Sequence, residues 1–144
     1  MTYRLILTIT LSYLLSVASG QNAIPQIIEV SSELVGEAKG VAYNETLGQG
    51  IDTFSLTVKV MLEDTANLSK LYFEMIDKAN NSIYISQEYN LQTNTISGSR
   101  PNATAALMGN ECVVMLGHYW SLLNYKIKVR AQYINGALSA YTEY

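Results

Sequence analysis

From Tyr125 to Tyr133 apolar and polar residues alternate without a fault. Successive side chains of a strand point to opposite faces, so Tyr125, Ile127, Val129, Ala131 and Tyr133 fall on one side. Lys126, Lys128, Arg130 and Gln132 fall on the other. A helical period of 3.6 cannot separate these two sets, and a half-buried strand can. Asn135-Gly136 follows at once, which predicts a two-residue type I′ hairpin. With those two residues in the turn, Lys128 lies opposite Glu143 and Arg130 opposite Tyr141 on the solvated side. Ile127, Val129 and Ala131 then share the inner side with Tyr144, Thr142 and Ala140.

The same pattern recurs upstream. Phe54 to Leu62 alternates, with Phe54, Leu56, Val58 and Val60 on one side and Ser55, Thr57 and Lys59 on the other. Leu71–Ile76 and Ser82–Tyr89 are rich in aromatic and β-branched residues, and Asp77 to Asn81 between them is turn chemistry, so the two runs are expected to pair as a hairpin. Pro25 precedes Ile27–Val30, a first edge strand, and Gly48-Gln49-Gly50 closes the loop before a strand starting at Thr53. Glu29, Glu33 and Glu37 stand four apart, as on a helix face. Ser31, Ser32 and Gly36 weaken a helix there, which leaves an edge strand and loop. About seven short strands with turns between them predict an all-β antiparallel β-sandwich.

The front of the chain predicts export. Arg4 gives a positive start, Leu5 to Ala18 are almost continuously apolar, and Ala18-Ser19-Gly20 offers small residues for cleavage, so residues 1–20 are expected to be a signal peptide and 21–144 a single domain. Sequons stand at Asn44, Asn67, Asn80 and Asn102, each in a polar break where a glycan disturbs no core. After Ala18 no apolar run approaches the ~20 residues that span a bilayer, and the last residues are polar or aromatic. A secreted, extracellular glycoprotein without a transmembrane anchor is the expectation. Without Arg4, eight Lys and Arg stand against twelve Asp and Glu, a net charge of −4 that makes nucleic acid an unfavoured partner.

Cys112 is the only cysteine, so no disulfide can form within the chain and stability must come from the core. It is expected to be a small buried hydrophobe in the run Cys112–Leu116. The alternative is an exposed thiol that links two chains as a disulfide-bonded dimer.

Tyr125, Ile127, Val129 and Ala131, followed by Gly136, have the spacing Tyr-x-Val-x-Val-x-Ala with a glycine five residues on. This resembles the F strand and F–G turn of fibronectin type III domains, and Pro25 with Ile27–Val30 is similar to the start of such domains. The resemblance covers about twenty residues closely. It implies an immunoglobulin/fibronectin type III-like sandwich, places Tyr125 at the tyrosine corner, and implies a binding or spacer module, since members are rarely catalytic. Val58 and Val60 stand where the family has a Trp, and Tyr119–Asn124 replaces its usual lead into the corner. Stage-specific antigens of parasitic worms share the organisation of one such domain behind a signal peptide, an analogy of organisation alone, which admits a host-parasite antigen.

Candidate chemistry is sparse. His118 is the only histidine and is expected to be a loop or partly buried residue; on one strand it would lie on the same face as Cys112 but about 20 Å away. Cys112, Met115 and His118 resemble a copper loop, but such a site needs a second His. Zinc lacks ligands, no phosphate loop opens a helix, and no carboxylate pair stands out. Neither catalysis nor a metal or cofactor is expected. The eleven tyrosines and Trp120 can build a core or supply contact area for a partner. Tyr125 and Tyr133 are expected inside. Arg130, Tyr141 and Lys128 on the outward hairpin face, and Tyr119 and Trp120 in the segment after His118, are the candidate binding residues. The expected function is a non-catalytic module binding a protein, cell-surface or matrix partner. The alternative is a small secreted carrier of a lipid or other apolar ligand.

Overall fold

The computed structural model describes the backbone of residues 24–44, 49–118 and 122–144, and the side chains of 24–35, 54–118 and 122–144. The expected signal peptide, Tyr119 and Trp120 lie outside the described residues. Among the described residues nine strands follow in order: β1 Gln26–Asn44, β2 Gln49–Met61, β3 Leu68–Asp77, β4 Ile83–Asn90, β5 Thr95–Gly98, β6 Thr104–Met108, β7 Glu111–His118, β8 Tyr125–Tyr133 and β9 Thr142–Glu143. They form two antiparallel sheets, ordered β1-β2-β7-β6 and β5-β4-β3-β8-β9. The protein is a β-sandwich. Consecutive strands of one sheet pair as neighbours, while the connections after β2, β5 and β7 cross between the sheets and bring β7 beside β2 and β8 beside β3. This order is that of the immunoglobulin sandwich with two strands added beside the third, which is why there are nine strands rather than the seven expected.

Alternation builds the core. Leu56, Val58 and Val60 of β2 and Cys112, Val114 and Leu116 of β7 meet Leu71, Phe73 and Met75 of β3 and Ile127, Val129 and Ala131 of β8, all buried. Burying each large apolar side chain is worth about 1.5–3 kcal/mol, so these rows hold the sheets face to face. Tyr125 and Tyr133 are buried at the two ends of β8, as the sequence predicts, and Tyr125 stacks on Tyr84 with ring centres 4.9 Å apart. Cys112 is 0 % exposed and burial pushes its thiol up to about 12. The buried reading holds. A disulfide-linked dimer through Cys112 would require the core to open, so that alternative is corrected.

Three further expectations change. Residues after Val30 are not a loop: β1 continues to Asn44 and pairs with β2 through three register shifts, and β2 starts at Gln49 rather than Thr53. Beyond Phe54, which pairs with His118, the described partners of these two strands are each other.

The final turn also differs. The Tyr133 N–H donates to Ala137 O at 2.8 Å and the Gly136 N–H to Tyr133 O at 2.9 Å, so the loop has three residues, Ile134, Asn135 and Gly136. Gly136 has φ +87°, while among the described residues positive φ outside glycine is confined to Asn81 and Asn94. A type I′ turn needs positive φ at both central positions; a type I turn ending in a left-handed glycine needs it only at the last. The third turn residue moves the register by one beside Gln132, which bridges Leu138. A compensating irregularity before Thr142 restores it, so Lys128 still pairs with Glu143 and Val129 with Thr142.

His118 is the third correction. It is 1 % exposed at the end of β7, not a loop or partly buried residue: Phe54 stacks on it at 5.2 Å, and Nε2 and Ser32 Oγ are 3.0 Å apart.

Candidate interaction surface

The outward positions of the five-stranded sheet form rows set by register. Tyr72 of β3 pairs with Glu88 of β4 on one side and Arg130 of β8 on the other. Glu74 pairs with Ser86 and Lys128, and Lys128 with Glu143 of β9. Lys70 pairs with Asn90 and Gln132. These positions are outward because their neighbours Leu71, Phe73, Ile127, Val129 and Ala131 occupy the core.

Side chains link the rows across the strands. The Arg130 guanidinium lies 4.6 Å from the Tyr141 ring centre and 5.5 Å from that of Tyr72. Tyr141 donates its hydroxyl to Glu74 Oε1 at 2.9 Å, and Tyr72 donates to Gln132 Oε1 at 3.1 Å. Lys128 bonds Glu143 at 2.6 Å, with its ammonium 5.4 Å from the Tyr141 ring, and Lys70 bonds Glu88 at 2.9 Å. Burial, then the hydrogen bond to Glu74, raises the Tyr141 phenol above its ordinary value, with Arg130 opposing. The hydrogen bond from Lys128 holds Glu143 below the usual carboxylate range. These pairs are half-exposed, so their energies are small; what they fix is geometry.

The structure therefore brings together three of the predicted residues, Lys128, Arg130 and Tyr141. Sequence reasoning missed Tyr72, Glu74, Lys70 and Glu88. Their outward orientation was visible in the alternation of β3 and β4, but nothing local says that β3 lies beside β8, more than fifty residues later.

Of the sequons, Asn67, Asn80 and Asn102 are exposed in the β2–β3, β3–β4 and β5–β6 connections, and Asn44 ends β1. None lies on the outward rows of the five-stranded sheet. Asn67 is nevertheless close to the final hairpin, since its carbonyl accepts from Ile134 N–H at 2.9 Å. Cys112 and His118 lie at the two ends of an unbroken strand, with no turn to bring them together. Among the described residues no three His, Cys, Asp or Glu side chains converge on a metal position, and no helix is long and apolar enough to cross a membrane.

No protein-family model matches the chain, and no curated protein sequence matches it.

Proposed function

We propose that the chain is a secreted, non-catalytic glycoprotein, built on a fibronectin type III-like sandwich, that binds a protein, cell-surface or matrix partner through the outward face of its five-stranded sheet. The observation that carries this reading is the placement of Arg130 against Tyr141 and Tyr72, held by Glu74 and Gln132. Arg and Tyr dominate the energetics of interfaces because they bring large contact area and donors at modest entropic cost. Here that cost is already reduced, because the side chains are ordered by one another before a partner arrives.

The carrier alternative meets an obstacle inside the sandwich. Among the described residues, a gap between the sheets lined by Leu56, Val58, Phe73, Glu74, Met75, Ile85, Val114, Leu116 and Ile127 measures about 10 Å³. A ligand pocket needs about 300 Å³ or more, and this gap is barely the size of one water.

The test begins with secretion from eukaryotic cells, where a chain starting at Gln21 and carrying glycans is expected. A partner is then captured from the native fluid. Arg130→Ala with Tyr141→Ala should weaken its binding more than tenfold, about 1.4 kcal/mol or more, with the fold retained. Loss of binding only on altering Tyr119 and Trp120 would move the site to that segment, and a co-purifying lipid seen by native mass spectrometry would favour the carrier.

A further inference from the structure

We propose that Arg130 is a receptor for a single carboxylate, so that the partner docks an exposed Asp or Glu side chain onto it. This rests on the reading of the five-stranded face as the docking surface and adds the chemistry of what docks there.

The cations of that face are not equivalent: among the described residues Lys126 and Arg130 have no ion pair, and only Arg130 is held against aromatic rings. Lys70 is neutralised by Glu88 and Lys128 by Glu143. Among the described residues no ion pair or hydrogen bond engages the Arg130 guanidinium, whose neighbours are the faces of two tyrosine rings. Its Nε is enclosed without a partner, which leaves the two terminal amino groups to meet a ligand. Two parallel N–H donors at one end of a planar guanidinium match the two oxygens of a carboxylate. The rings restrict the guanidinium on its faces and so reduce the entropy lost on binding. Arg130 sits on β8, whose neighbours are β3 and the two-residue edge strand β9.

Charge selects a monoanion over a polyanion. Lys70, Lys126, Lys128 and Arg130 stand against Glu74, Glu88 and Glu143, a net +1 on a chain whose formal net charge is −3. One excess positive charge suits one carboxylate. A sulfated polymer needs several unpaired cations in succession, and the glutamates interrupt them.

Three measurements on the full secreted chain test this. In the first, acetate is titrated against chloride at matched ionic strength while the arginine side-chain N–H resonances are followed. The Arg130 signals should move saturably at acetate concentrations up to about 0.1 M, as a millimolar-range site requires. No movement overturns the proposal. In the second, the protein is passed over immobilised heparin at physiological salt, where it should not be retained; retention that Arg130→Ala abolishes would assign the site to a polyanion instead. The third uses the captured partner and Arg130→Lys, which keeps the charge and loses the two-pronged geometry, with circular dichroism verifying the fold. A tenfold or greater loss of affinity is expected. Binding unchanged in Arg130→Lys but lost in the Arg130→Ala, Tyr141→Ala double variant would sink the carboxylate inference and leave the face reading standing. Binding unchanged in both sinks both.

Discussion

The two outward faces of the sandwich are built on the same alternation and have opposite character. On the five-stranded sheet Tyr72, Tyr141 and three glutamates take part in hydrogen bonds and ion pairs across the sheet, and Arg130 packs against the two tyrosine rings, so side chains position one another. On the four-stranded sheet, register aligns Met61, Glu111 and Met108 in one row, Lys59, Val113 and Ala106 in the next, and Thr57, Met115 and Thr104 in a third. Met108 and Met115 are 61 % and 47 % exposed, and the ion pair on this face, Lys59 with Glu29 at 2.6 Å, lies toward the β1 edge. Inward residues must fill a shared core and are constrained in both sheets alike; outward residues answer only to solvent and to partners, and here they have diverged.

The largest expected effect lies at the margin of the five-stranded sheet. Gly98 ends β5 with φ +144°, and a Cβ there would stand 2.1 Å from Gln87 Oε1 and 2.3 Å from Ser86 O. Gln87 is 1 % exposed and ties this corner down: its Nε2 donates to Arg100 O at 2.8 Å while its Oε1 accepts from Arg100 N–H at 3.0 Å. Gly98→Val should therefore cost about 3 kcal/mol or more in urea denaturation, through backbone strain and a displaced buried amide. A midpoint within error of wild type would show that this corner yields freely.

At the other end of the same sheet Gly136 separates the two causes, having φ +87° but nothing within 4 Å of an added Cβ. Only the conformational penalty remains, so Gly136→Val should lose about 1–2 kcal/mol, and Gly136→Asn should lose much less because Asn tolerates the left-handed region. Equal losses for the two variants would contradict the assigned turn.

The four-stranded sheet contributes an alkaline dependence through Cys112. Its thiol ionises at about 12 in the fold and near 9.0 when freed. The unfolded chain therefore gives up this proton first, and stability present below pH 9 falls as pH rises toward 12, approaching about 1.4 kcal/mol per unit. By pH 10 the loss is about 1.4 kcal/mol. Compared by urea denaturation between pH 8 and pH 10, wild type should lose more stability than Cys112→Val by about that amount; parallel curves would mean the thiol is not held in the core.

The smallest effect is expected on the apolar outward face. Met108→Lys and Met115→Lys remove exposed side chains with no bonded neighbour and should each change stability by less than about 0.5 kcal/mol. Losses near 2 kcal/mol would show that this face is more tightly packed than its exposure indicates.

Much of the fold was legible because it rests on local repetition. β8 shows a strict alternation of buried and half-buried residues along its nine positions, as its sequence does, and the pairing of Leu71–Ile76 with Ser82–Tyr89 follows from a short turn between two apolar runs. The Lys128–Glu143 and Arg130–Tyr141 neighbours were legible too, although the turn assumed for them was one residue too short and a second irregularity restored their register. β1 was read too short because its later half lacks alternation. His118 was read as a loop or partly buried residue because no local signal marks a polar residue that stacks on Phe54 and lies within hydrogen-bond distance of Ser32.

The sequence by itself determined the faces of the alternating stretches, Phe54 to Val60 of β2 and Tyr125 to Tyr133 of β8, since a period of two needs no knowledge of the partner strand. Only the tertiary structure decided which faces became neighbours. It set β3 beside β8, bringing Tyr72 and Glu74 to Arg130 and Tyr141, because the pairing of strands distant in sequence is chosen by how two whole sheets pack around one core, a property no single segment carries.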